Sequence, residues 1–152
     1  MGGLVMEYKE VLSRLAPCGL DCSRCADYKE GEIKLLSENL LECLGNYKRL
    51  ARLKADQKNE FSAYPQFEAI LNSFSNASCS GCRGEDVQCP INCKAKTCHK
   101  EMAVDFCFQC VEYPCDDQSK ILIGDRWKEM NDRMKAVGVV RFYYEQDKLP
   151  RY

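Results

Sequence analysis

No stretch of this chain reaches the roughly 18 consecutive apolar residues that a membrane-spanning helix requires, so no membrane contact is expected. Charge of one sign is missing too. Against 22 Lys and Arg stand 23 Asp and Glu, leaving a formal net charge of −1 and a pI of about 5.9. That balance gives no global drive toward nucleic acid or an anionic surface. The N-terminus has no basic segment followed by an apolar run, so no secretory signal is visible and a cytoplasmic location is expected. The second methionine, Met6, makes residues 1–5 a candidate leader. Histidine is nearly absent: His99 stands alone. HExxH, GxSxG, Walker A and the dinucleotide glycine fingerprint are all missing. With one histidine and no paired-carboxylate motif, nothing argues for hydrolysis or group transfer, and a non-enzymatic protein is expected.

Cysteine is what the chain has in excess. Eleven of its 12 cysteines fall into two dense groups. Cys18, Cys22 and Cys25 form the first, and Cys79, Cys82, Cys89, Cys93, Cys98, Cys107, Cys110 and Cys115 the second. Thiolates two to four residues apart suit a small metal ion, because one tight turn can aim two sulfurs at a point about 2.3 Å away. In an oxidising compartment such a chain would be a disulfide scaffold. In a reducing one the same pattern points to metal or redox chemistry. The missing secretory signal selects the second reading.

The spacing does not determine how the ligands pair. Cys79-x2-Cys82 and Cys107-x2-Cys110 are two knuckles of the kind that zinc ribbons use, separated by more than the usual loop of about 15–20 residues. Cys89, Cys93 and Cys98 form a local trio between them. Eleven thiols plus His99 would serve three four-coordinate sites, and two complete sites with spare thiols fit equally well. Zinc and iron–sulfur clusters both accept four thiolates. The knuckles, and Gly81 at the turn between Cys79 and Cys82, favour zinc. The Cys18-x3-Cys22-x2-Cys25 spacing matches the cluster motif of radical-SAM enzymes, and Cys79-x2-Cys82-x6-Cys89-x3-Cys93 is similar to their auxiliary-cluster pattern, which keeps iron–sulfur open. The barrel of a complete radical-SAM enzyme does not fit in 152 residues.

Three thiols in the first group are one short of a closed zinc shell. The two groups are therefore expected to converge. Cys115, left over once the knuckles and the trio are assigned, is expected to complete the Cys18 site. Cys43 lies among Leu40, Leu41 and Leu44 and reads as a small core residue rather than a ligand. His99, adjacent to Cys98, reads as a loop residue or as a donor to a metal-bound sulfur, because neighbouring residues seldom bind one metal well. Arg83, Lys94, Lys96 and Lys100 are interleaved with the thiols and are expected to offset thiolate charge.

Around the cysteines the pattern is helical. Short helices are expected over 7–15 and 65–74, a short helix or strand over 139–146, and longer helices over 30–55 and 118–137 with Gly138 as cap. In the 30–55 helix Ile33, Leu36, Leu40, Leu44, Tyr47 and Ala51 are expected to face the core. Residues 101–106 are the one helix candidate in the second cysteine region. The polar stretch 73–80 marks a boundary. The expected fold is mainly α: one small domain over 1–152, helical at 30–75 and 118–146, flanking metal-stapled loops at 17–28 and 79–115.

Three motifs in order carry a family resemblance: Ala16-Pro-Cys-Gly-Leu-Asp-Cys-Ser-Arg-Cys-Ala-Asp-Tyr28, Cys79-Ser-Gly-Cys-Arg83 and Phe106-Cys-Phe-Gln-Cys-Val-Glu-Tyr-Pro-Cys-Asp116. The chain resembles, over about residues 16–145, the bacterial and archaeal family known as domain of unknown function 3795. The resemblance implies a small cytosolic zinc-binding protein, frequent in anaerobes, and implies no activity. Taken together, these readings give a zinc protein whose thiolate sites support a binding or adaptor module, its partner expected to be another protein rather than nucleic acid. An iron–sulfur electron carrier is the alternative, and an intracellular thiol or metal sensor the next.

Overall fold

Eight α-helices are present among the residues described by the computed structural model, 6–152, and no β-strand is. The candidate leader, residues 1–5, lies outside that range. The helices are α1 (Tyr8–Arg14), α2 (Glu32–Leu44), α3 (Lys48–Ala55), α4 (Tyr64–Ser75), α5 (Ala95–Glu101), α6 (Asp116–Ser119), α7 (Gly124–Val137) and α8 (Val139–Asp147). The protein is thus mainly helical, as its apolar periodicity indicates. Its described residues group into two compact units. One joins the chain up to Cys25 with Cys79–Tyr152, and the other is Ala26–Ser78. The polar stretch at 73–80 contains that second boundary.

In the first unit the core forms where α7 presents Trp127, Met130, Asn131 and Met134, spaced so that all four point one way from a 3.6-residue repeat. Val11 and Leu15 come from α1 and its end, Phe142 and Tyr143 from α8, and Phe106 from the second cysteine region. Trp127 and Phe106 are fully buried, and truncating either to Ala would cost about 3–5 kcal/mol. The first cysteine loop packs directly on α7. Gly19 has φ +95°, and a Cβ there would stand 2.9 Å from Met134 Cε and 3.1 Å from Met130 Cβ. Only a residue without a side chain permits that approach.

The second unit packs α2 against α4, and α3 against the 3₁₀ turn Asn59–Ala63. Tyr47 anchors the turn side: its ring lies 5.4 Å from that of Tyr64, and its hydroxyl accepts from Lys54 Nζ at 2.8 Å.

Several expectations shift here. The long helix over 30–55 is two helices, because Gly45 at φ +49° ends α2 and the chain turns before α3 begins. Of the expected core face, Ala51 is buried and Ile33, Leu44 and Tyr47 are half-buried, while part of it departs from expectation. Ser37 is buried while Leu36 and Leu40 are exposed, since the Ser37 hydroxyl satisfies itself on the Ile33 carbonyl at 2.7 Å. Cys43 sits on the opposite side and is exposed, so it is not a core residue. The second cysteine region does contain a helix, but at 95–101 rather than 101–106. The stretch over 118–137 is interrupted between α6 and α7. Helices over 7–15 and 65–74 form within a residue or two of expectation, the stretch at 139–146 is a helix, and Gly138 caps α7.

Candidate metal centre

All twelve cysteines are free thiols. The first loop is built by backbone: Ala16 and Leu20 pair at 2.7 Å, Gly19 returns its N–H to Ala16 at 2.9 Å, and Cys22 donates to Arg14 at 2.9 Å. These tight turns leave Cys18 buried, with Cys22 and Cys25 half-buried on the outer rim. In the second region Cys79 and Cys82 flank Gly81, and the Cys107–Gln109 3₁₀ turn closes with a Cys110 N–H to Cys107 carbonyl bond at 3.0 Å. Cys98 lies on α5, and Cys115 is the residue preceding α6.

The two groups meet. Cys107 donates its N–H to the Pro17 carbonyl at 3.0 Å. Arg83, next to Cys82, donates Nε to the Leu15 carbonyl at 2.8 Å and Nη2 to that of Asp105. Its guanidinium stacks 5.0 Å from the Phe106 ring centre. The fully buried Asn131 completes the clamp. Its Nδ2 donates to the carbonyls of Cys18 and Trp127, both at 2.9 Å, while its Oδ1 accepts the Phe108 N–H at 3.0 Å. One amide on α7 thus holds both cysteine segments.

The sulfurs form two overlapping gatherings. In one, Cys22 interacts with Cys82, whose surroundings include Cys18 and Cys89. Cys18 in turn is influenced by Cys93, Cys22 and Cys107. In the other, Cys98, Cys107, Cys110 and Cys115 line a cavity of about 150 Å³. Cys115 therefore keeps company with Cys98, Cys107 and Cys110, not with the Cys18 loop as the process of elimination in sequence suggested. Of the two knuckles, Cys82 is placed beside Cys22, and Cys107 and Cys110 line the cavity. Among the described residues, no three Cys, His, Asp or Glu side chains come close enough together to hold a single metal ion.

Burial dominates the thiol acidities. It pushes Cys18 far up, and it takes Cys107 to about 12 against an opposing contribution from Trp127. Cys98 is raised by burial and then by Cys115, Cys93 and Cys110. Cys22 is the exception, lowered to about 7 because the Cys82 thiol hydrogen-bonds to it, which in turn raises Cys82. Crowded thiols oppose one another's ionisation, and a bound cation reverses that effect.

The lysines behave as expected of charge-offsetting neighbours only in part. Lys96 donates to the Cys89 carbonyl at 2.8 Å, whereas Lys94 pairs with Asp117. Three residues with no cysteine-like signal in the sequence also belong to the site. Gln118, on α6, donates Nε2 to Cys93 Sγ at 2.8 Å. Trp127 turns its indole N–H toward Cys107, and Asn131 acts as described. His99 is on α5 rather than in a loop; it is buried, lines the cavity, and its Nε2 has no partner. Burial, followed by Arg83, lowers its pKa.

Residues 14–120 match the sequence family described as a protein of unknown function, DUF3795. The chain belongs to that family. The DUF3795 match contains all 12 cysteines and Gln118. It ends before α7, so Trp127 and Asn131 stand outside it, and it begins at the end of α1. No curated protein and no solved structure matches the chain. No helix among the described residues is long and apolar enough to cross a membrane.

Proposed function

We propose that this DUF3795 protein binds metal through its clustered thiols, with zinc as the leading ion, and that the bound metal holds the cysteine loops in place. Cys18, Cys22, Cys25, Cys79, Cys82, Cys89, Cys93, Cys98, Cys107, Cys110 and Cys115 are the proposed ligands. One observation carries the reading. Two cysteine groups far apart in sequence are drawn into one unit, where their thiols crowd with no disulfide between them and burial holds Cys18 and Cys107 in the protonated form. Thiolates in such a crowd are costly without a neighbouring cation, and a bound metal ion supplies it.

The role is that of a binding or adaptor protein in a reducing compartment such as the cytoplasm, not of an enzyme. Exposed Leu35, Leu36, Leu53, Phe67 and Ile70 on the second unit support a protein-binding surface. The test is elemental analysis of protein purified without oxygen or chelator. Whole-number zinc per chain is the expected result. Protein free of zinc and iron, with its loops still protected from amide exchange, would overturn the reading.

A further inference from the structure

The cavity beside α5 is the wrong size for one zinc. Four thiolates at about 2.3 Å from a single ion draw their sulfurs to within roughly 3.8 Å of one another, leaving no room between them. Here Cys98, Cys107, Cys110 and Cys115 stand around about 150 Å³ of open space. A single water needs about 15 Å³ of such space, so the cavity is of polyatomic size. The donor count points the same way. His99 is buried on the cavity wall, and its Nε2 has no hydrogen-bond partner. Four thiols and one imidazole make five N and S donors where tetrahedral zinc takes four.

We infer that this cavity holds a polynuclear iron–sulfur cluster of the [4Fe–4S] class, ligated by Cys98, Cys107, Cys110 and Cys115. The inference rests on the metal-thiolate reading and replaces zinc at this one site. Four thiolates satisfy the four irons of such a cluster, and its charge and potential are set by N–H groups facing the sulfurs. The fully buried Trp127 supplies one. It lines the cavity, and its buried N–H has no hydrogen-bond partner. The cluster with its thiolates carries a charge of about −2; Lys94 lies on the cavity wall and is paired there with Asp117.

The test loads the full chain, without oxygen, from a synthetic [4Fe–4S] complex carrying four small thiolates. Each protein thiol passes its proton to the thiolate it displaces. One iron–sulfur bond forms for each broken, and no electron is transferred. The expected product absorbs near 400 nm with about four irons and four sulfides per chain. Iodoacetamide labelling followed by peptide mass spectrometry locates the cluster. Against the unloaded protein, the half-buried Cys110 and Cys115 should lose at least tenfold in labelling rate, while exposed Cys43 is unchanged. Cys110→Ala should abolish the chromophore, and the wild-type footprint decides the matter if that variant does not fold. A brown protein whose protection falls on Cys22 and Cys25 overturns the assignment. A colourless protein in which one zinc protects the same four cysteines overturns the cluster but keeps the metal-thiolate reading. Failure to retain either metal sinks both.

Discussion

Cys107 donates its backbone N–H to the carbonyl of Pro17 at 3.0 Å, and this bond sets the second cysteine group directly beside the first. Asn131 reinforces it from α7 by binding the Cys18 carbonyl and the Phe108 N–H together. Convergence of the two groups therefore does not depend on metal alone; the protein's own hydrogen bonds already hold their backbones together.

Asn131→Leu should be strongly destabilising. It keeps approximate size but strands the Cys18 carbonyl and the Phe108 N–H in a dry interior, each at a cost of about 1–3 kcal/mol. The expected loss is at least about 2 kcal/mol, read as a lowered urea midpoint. A change below 1 kcal/mol, on the order of a typical surface substitution, would show that the clamp is not what fixes the loops.

Metal removal should act unevenly. The second cysteine region has few buried apolar side chains of its own, so the proposed metal is expected to supply much of its folding free energy. The unit Ala26–Ser78 contains only Cys43 and packs α2 on α4 without any of the clustered thiols. After strong chelation, amide exchange should rise over 79–115 and stay slow in α2 and α4, with much of the helical circular dichroism retained. Uniform loss of protection across both units would contradict this division.

Cys43→Ala should leave metal content unchanged. Because Cys43 is exposed rather than buried, its stability effect should stay within about 0.5 kcal/mol, as for other surface positions. Metal analysis and a denaturant titration on the same preparation check both parts. Loss of a metal equivalent would place Cys43 among the ligands.

A pH-dependent contribution should come from Glu145. Arg133 grips its carboxylate with bonds of 2.8 and 2.7 Å, and Arg141 adds a weaker contact at 3.4 Å. Arg133 chiefly, then Arg141, hold its pKa below the ordinary 4.5. The folded carboxyl thus ionises at lower pH than the unfolded one. Its stabilisation is complete above the ordinary value and disappears as pH falls through the depressed one. The stability difference between wild type and Glu145→Gln should be small but measurable near neutral pH and fade as pH falls below the ordinary carboxyl value through the depressed one. A difference that grows in acid would reverse the sign of the argument.

Local chemistry in the sequence determined a good deal: the helices at 7–15 and 65–74, the cap at Gly138, the boundary at 73–80, the free thiols and the family. All of these rest on short-range rules of periodicity, punctuation and spacing, which neighbouring residues decide among themselves. The break at Gly45 is not legible there, because the apolar repeat continues on both sides of it. Tertiary structure alone decided the rest. Ser37 took the buried place that periodicity assigned to Leu36 and Leu40, because a hydroxyl bonded to its own helix can be buried at little cost. Cys43 turned outward. Cys115 joined Cys98, Cys107 and Cys110 because α5, the 3₁₀ turn and α6 bring distant loops to one cavity, a relation that sequence separation does not encode. Gln118, Trp127 and Asn131 carry no mark in the sequence of serving a thiol site. Their role follows from the folded helices that aim their N–H groups at sulfur and carbonyl, and proximity of that kind exists only once the chain has closed.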